Sequence, residues 1–286
     1  MRCVGPGYHV RRWRDRLCHE ALERGHLRSE DVDGLDLKFG AYEAVHRILE
    51  MIALRQGIGD VLAEGVKRAA EQIGQESYKY ALHTKGLEMP GYDPRGLPAH
   101  GLGYMTGDKG GEHEQGYMVG YEAYGEAWRG RQFERFAVED KAEVLVWLQN
   151  RQVGTNTLVK CDFTGIALET FAEMLSAVTG TEYTAEDINL VGERIYNLTR
   201  LFNLREGFTR KDDDVAYRCR KDPLPDEPVK GRRLIREDLD YMLDDYYRLR
   251  GWDKQGVPTS EKLKELGLEA DGRRQGIAQA PGVRSQ

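Results

Sequence analysis

Between Thr184 and Gly207 the sequence reads TAEDINLVGERIYNLTRLFNLREG, and this stretch restricts the fold most strongly. Thr184 is of the residue type whose side-chain oxygen accepts from a first-turn amide. Glu186 and Asp187 follow, where the helix dipole favours acids. Ile188, Val191, Ile195, Leu198 and Phe202 recur at helical steps, predicting one apolar face. Gly207 closes the run, as glycine commonly does after a helix. A helix with such a face has to be covered by further layers of structure.

The same period recurs along the chain. Helices are predicted over 14–24, 138–150, 166–178, 237–250 and 261–266, the last capped by Thr259 or Ser260. Another begins at Ala41, with Val45, Ile48, Leu49, Ile52 and Ala53 on one face. Gly57 and Gly59 should stop it, and Asp60 should cap a helix burying Val61, Leu62, Val66 and Ala69. ESYKYALH reads as a short helix. Alternating strand patterns are scarce, so the expected fold class is mainly α with few or no strands. Residues 1–13 read as irregular, TRKDDDVAYRCRKDPLPDEPVKG as a polar strap, and 269–286 as a fraying tail. YMVGYEAYGEAWRGRQFERF mixes aromatics and glycines without a period.

The chain has 286 residues, 40% hydrophobic and 31% charged, which places it among globular proteins with a real core. A net charge of −6 speaks against nucleic acid as a partner. No apolar run approaches the roughly 20 residues that cross a bilayer. The opening MRCVGPGYHVRRWRDRLCHEALERG has arginines but no apolar core of a signal peptide. A cytoplasmic location without a membrane partner is therefore expected. Cys3, Cys18, Cys161 and Cys219 have no close spacing. Neither a disulfide framework nor a self-contained zinc or iron–sulfur site is expected from them.

From Leu82 to Tyr117 the chain carries nine glycines and three prolines. No GxGxxG spacing occurs there and no strand precedes it, so a dinucleotide or phosphate loop is excluded. Two readings remain open: a plain surface connector, or a backbone that comes close to something large and flat. His113 lies near the end of this loop, between Glu112 and Glu114. It is either a solvated histidine or a proton donor and acceptor beside a cofactor, since imidazole titrates near neutrality. Cys161 is either a partly buried free thiol or one ligand of a metal site completed elsewhere.

Several stretches together resemble the tungsten-containing aldehyde ferredoxin oxidoreductase family. They are GLDLKFG, GIGDVLAEGVKRAAEQIG, HTKGLEMPGYDPRG, ERIYNLTRLFNLREGFTRKDD and DDYYRLRGWDKQGVPTSEKLKELGL, and the resemblance as a whole runs from Cys18 to Leu268. The resemblance is to the C-terminal portion only. It implies helical second and third domains, with residues 1–84 as the end of the second and 85–286 as the third, the loop 85–116 facing cofactor. The N-terminal β-rich cradle is missing, as are the three-cysteine cluster motif and the first pterin motif.

The resemblance further implies oxidation of aldehydes to carboxylic acids at a tungsten or molybdenum bis-pterin. A four-iron, four-sulfur cluster then passes electrons to ferredoxin. His113, in DKGGEH, matches the family's histidine beside the metal. Cys161 matches the cysteine that ends the second pterin motif and supplies the fourth cluster ligand. The motif's aspartate is Asn156 here and its Gly-Leu is Val159-Lys160. Asn156 can hydrogen-bond a pterin edge but carries no charge, and Lys160 adds a cation beside the cluster. The expected partners are a missing cradle half or subunit, ferredoxin and a small aldehyde. An isolated chain is expected to be inactive and to bind neither cofactor fully. Two alternatives accompany this reading: a non-catalytic remnant, or a subunit of a split enzyme acting on another substrate such as an aromatic thioester.

Overall fold

A computed structural model describes residues 8–38, 41–161 and 164–274. Helices dominate. In chain order they are α1 Tyr8–Glu23, α2 Tyr42–Leu54, α3 Ile58–Ala63, α4 Val66–Ile73, α5 Pro98–Thr106, α6 Val119–Ala123 and α7 Lys141–Asn156. Then follow α8 Leu168–Thr179, α9 Ala185–Arg205, α10 Tyr217–Lys221, α11 Arg236–Arg250, α12 Ser260–Glu265 and α13 Glu269–Arg274. Among the described residues the strands are β1 His83–Thr84 and β2 Leu87–Glu88, an antiparallel pair with His83 opposite Glu88. The mainly α expectation holds.

The described residues form two compact units, neither continuous in sequence. The first gathers Met1–Gly96, Tyr104–His113 and Asp213–Ile235. Its core joins α1 through α4, with Leu17, Cys18, Ile48, Met51, Leu62 and Ala69 fully buried. The strap is more than a surface loop. It forms α10 and buries Val215, Ala216 and Cys219. Arg218 of α10 pairs with Glu20 of α1, and Lys85 pairs with Asp213 at 2.9 Å in full burial.

The second unit gathers Leu97–Gly103, Glu114–Asp212 and Arg236–Gln286. Its α7 and α9 cross at two glycines. A Cβ on Gly192 would stand 1.8 Å from the Asn150 carbonyl oxygen, and one on Gly154 2.3 Å from that of Ile188. Such small residues let two helix backbones approach closely. Beside the crossing, α11 buries Arg250, with no carboxylate partner among the described residues. Its guanidinium donates to Gln149 Oε1 at 2.8 Å, to Asn150 Oδ1 and to the Tyr246 hydroxyl at 2.9 Å. A buried charge is tolerated because these neutral acceptors satisfy its donors.

Several sequence expectations shift. α1 begins at Tyr8 rather than near Arg14, and α7 runs on to Asn156. The chain breaks between α3 and α4, so Asp60 caps nothing and instead pairs with Arg55 at 2.7 Å. The amide of Val66, first in α4, donates to the Glu88 carboxylate at 3.1 Å. α2 buries Ala44, Ile48 and Met51, a face rotated from the expected one. ESYKYALH gives a 3₁₀ turn and then enters β1. The tail begins with α13, while residues 275–286 lie outside the described ones. The capping of α9 is as expected: the Thr184 oxygen accepts from the Asp187 amide at 3.2 Å, and Asp187 returns a bond to the Thr184 amide at 2.8 Å. Its expected apolar face is only partly covered. Ile188 is buried, but Val191, Leu198 and Phe202 are 40%, 41% and 50% exposed.

Candidate functional site

The glycine-rich segment is folded tightly onto its own chain. Gly110 and Gly111 lie against the β1–β2 hairpin, where a Cβ would come within 2.3 Å of the Thr84 carbonyl oxygen and 2.7 Å of that of Leu87. Gly116, in the second unit, would meet Leu145 Cδ1 at 2.3 Å. At these three positions glycine is required by packing against the chain's own atoms. Gly91 differs: a Cβ there would have no neighbour within 4 Å.

The first unit holds the segment leading to His113 in place. The Lys85 ammonium, buried with Asp213, also donates to the carbonyls of Met105 and Gly107, the latter at 3.2 Å. The Gly111 amide donates to Thr84 O at 3.3 Å. His113 then comes to rest half-buried, its ring 5.4 Å from that of Tyr92 and tilted by 32°. Of its acidic neighbours, Glu112 pairs with Lys109 at 3.2 Å and Glu114 is exposed.

Tyr92 also lines a cavity of about 230 Å³, with Arg16, Met89, Gly91, Asp93 and Cys219. The volume falls below the ~300 Å³ typical of drug-sized sites, so it suits a molecule of few heavy atoms. Asp93 is neutralised by Arg95, whose guanidinium reaches both carboxylate oxygens, at 2.9 and 2.6 Å. Burial, with Asp93 nearby, pushes the Cys219 thiol up to about 12, so it is no thiolate. The Tyr92 partner of His113 lies within the PGYDP stretch, but no spacing rule marks it as a neighbour of the histidine.

Asn156, Lys160 and Cys161 share the segment that closes α7 in the second unit. Asn156 is the last residue of the helix, exposed, and accepts from Gln152 Nε2 at 3.2 Å. The Lys160 ammonium lies 4.7 Å from the Phe171 ring centroid. Cys161 is exposed, and its carbonyl accepts from the Thr164 hydroxyl at 3.0 Å. Val159 stands where the resembled motif carries glycine, yet it keeps the left-handed backbone glycine prefers, with φ +54°.

The donor set does not build a metal centre by itself. Among the described residues no three His, Cys, Asp or Glu side chains gather as a metal site. Cys18 and Cys219 are buried in the first unit, and Cys3 lies outside the described residues. Cys161 is surface thiol and fits only as one ligand contributed to a cluster completed elsewhere. Among the described residues no helix is long and apolar enough to cross a membrane.

Comparison with known proteins agrees over nearly the whole chain. The family described as "Aldehyde ferredoxin oxidoreductase, domains 2 & 3" matches residues 16–268. The "Tungsten-containing aldehyde ferredoxin oxidoreductase" of Pyrococcus furiosus is 38% identical over 253 residues, covering 87% of this chain and 41% of that protein. The protein of the same description from Thermococcus kodakarensis is 36% identical with the same coverage. An "Aliphatic sulfonate oxidoreductase, WOR-like subunit" of Pyrococcus furiosus is 32% identical, covering 87% of this chain and 38% of its own length. Among solved structures, the "Active site complex BamBC of Benzoyl Coenzyme A reductase in complex with 1,5 Dienoyl-CoA" matches with a TM-score of 0.73 and 25% identity. That match covers 95% of this chain and 46% of the other. The chain thus spans less than half the length of the relatives it matches.

Proposed function

This chain belongs to the aldehyde ferredoxin oxidoreductase family, matching its domains 2 and 3; on that premise we propose that it is the helical portion of a tungsten- or molybdenum-pterin enzyme that oxidises aldehydes to carboxylic acids. When bound, a pterin-held metal would supply the two-electron oxidation chemistry and an iron–sulfur cluster the single-electron transfer to ferredoxin. The chain's own residues have narrower tasks in this reading. A ring nitrogen of His113 holds or releases a proton beside the substrate, with Tyr92 fixing the ring. Cys161 Sγ is contributed to a cluster whose other thiolates come from a cradle half or subunit. Asn156 offers a neutral amide to a pterin edge, and Lys160 places a cation near the cluster. The division of family domains near residues 84 and 85 belongs to this proposal, as does a cytoplasmic location. It concerns ancestry and need not follow the compact units.

The observation that carries the reading is the family match over residues 16–268, and the packing of the His113 ring on Tyr92, which lines a small cavity, supports it. A second reading is a subunit of a split enzyme with another substrate, such as an aromatic thioester. It is favoured because one similar protein is described as a subunit and the similar structure as a two-component complex.

The test is co-expression with a cysteine-bearing cradle polypeptide from the same genome, comparing wild type, C161S and H113A. C161S should lose bound iron. H113A should keep iron and pterin while turnover falls by ~10²-fold or more. Full iron content in C161S, together with unimpaired turnover in H113A, would sink the assignment.

A further inference from the structure

The second unit contains a larger cleft, of about 760 Å³, well within the range of small-molecule sites. It lies among the turn 128–131, the middle of α7 and the starts of α8 and α9. None of His113, Asn156, Lys160 or Cys161 lines it. It draws on the aromatic, glycine-bearing stretch that showed no period.

Trp128, Arg129, Gly130 and Arg131 form a tight turn closed by mutual backbone bonds of 2.8 and 2.9 Å. Its two central residues have φ +50° and +79°, so Arg129 sits where Gly or Asn is preferred. A bulky side chain held there is worth attention, because such backbone persists only where the surroundings enforce it. The turn stacks Arg129 on Trp128 at 4.6 Å from the ring centroid. Trp128 is itself buried, and Trp147 lies beside it at 6.3 Å and is half-buried, so the Trp147 ring is the one on offer. Arg151, one helical turn further on, sits 6.0 Å from the Trp147 centroid.

Charge sharpens the picture. Arg131 is neutralised by Glu143 at 2.9 Å. Arg129 and Arg151 have no carboxylate within ion-pair range among the described residues. Asn189 also lines the cleft, and its Nδ2 is buried without an acceptor among the described residues. Its Oδ1 is engaged by Asn150 Nδ2 at 3.4 Å, which fixes the amide's direction. The acids in the lining have other tasks. Glu193 pairs with Lys262 at 3.0 Å, and Glu169 and Glu186 occupy first helical turns. Those two acids would repel a polyanion but leave room for a single negative charge.

We propose that this cleft binds an aromatic monocarboxylate, its ring on Trp147 and its carboxylate held by the Arg151 and Arg129 guanidinium groups. A planar fork of donors matches a carboxylate with two parallel bonds, which a point charge does not. The proposal stands apart from the function argued above.

Saturation-transfer NMR on the purified chain tests it, with benzoate, cyclohexanecarboxylate, benzyl alcohol and inorganic phosphate as probes. Benzoate should bind saturably, the other three much more weakly. R151Q should weaken benzoate by roughly tenfold, the order expected for losing a charge-assisted contact, and R151K should recover part of it. R129Q, at an exposed position, gives an independent variant that should fold normally, and far-UV circular dichroism checks both. The absence of saturable benzoate binding up to about 10 mM, beyond the weak edge of specific affinity, overturns the proposal. So does benzoate binding that is unchanged in both glutamine variants.

Discussion

Val159 sets a single residue against its backbone. A β-branched side chain at φ +54° is sterically unfavourable, and at 96% exposure it gains no packing in return. Val159→Gly should therefore stabilise the chain by about 1 kcal/mol, the left-handed penalty less glycine's extra unfolded-state freedom. Thermal unfolding monitored by circular dichroism checks this, and a drop in midpoint would contradict it. Two histidines of the first unit, His19 and His83, make a second case. Burial holds both below imidazole's ordinary value, with Lys67 adding to the effect at His83. The folded chain then binds fewer protons than the unfolded one. Their stabilising contribution is complete above about pH 6.5 and is lost as pH falls through the lowered folded values. The midpoint should drop on acidification from neutrality towards pH 5, and His83→Gln should flatten that slope.

Elements show where sequence patterns mislead. Gly192 sits in the interior of α9, where alanine ordinarily favours a helix by about 1 kcal/mol. Here the added methyl would collide with the Asn150 carbonyl. Gly192→Ala should instead destabilise by about 1–3 kcal/mol, as overpacking does, measurable by denaturant unfolding. The caps and ends of α9 were readable because they depend on near neighbours alone. The orientation of its faces was not. The glycine side, which carries no hydrophobic signal, is buried on α7, while Val191, Leu198 and Phe202 form a row facing outward. The same reason explains Gly110, Gly111 and Gly116: composition flagged a glycine-rich loop, but the surfaces it meets are set by distant residues. His113 and Cys161 were singled out by motif, whereas Tyr92 and the Trp128–Arg131 turn had no spacing to announce them. This exposed row should make the isolated chain self-associate with rising concentration in sedimentation runs, and replacing Leu198 and Phe202 by Gln should abolish that association, with stability changed by no more than about 0.5 kcal/mol. Unchanged association would show that this row is not the adhesive surface.

At the scale of the whole molecule, the chain corresponds to part of the length of its relatives. It covers 41% of the length of its tungsten-enzyme relatives, and its described residues gather no metal-ligating cluster. Purified alone after expression under iron-replete, anaerobic conditions, it should carry no stoichiometric iron by elemental analysis. A full complement with cluster-type electronic absorption would refute that expectation, since a four-iron cluster ordinarily takes four thiolates.

The interleaving of the two units has a consequence for how the protein is made. The first unit is built largely from residues before Gly96 but needs Asp213 to neutralise buried Lys85, and Arg218 of α10 to pair with Glu20 of α1. On a ribosome those partners emerge only after α6 through α9 have been synthesised. The nascent first unit must therefore wait, with a lysine lacking its counter-charge, for a strap that arrives more than a hundred codons later. Clipping the polypeptide once, anywhere between Leu97 and Gly103 or between Glu114 and Asp212, leaves neither product with a whole first unit.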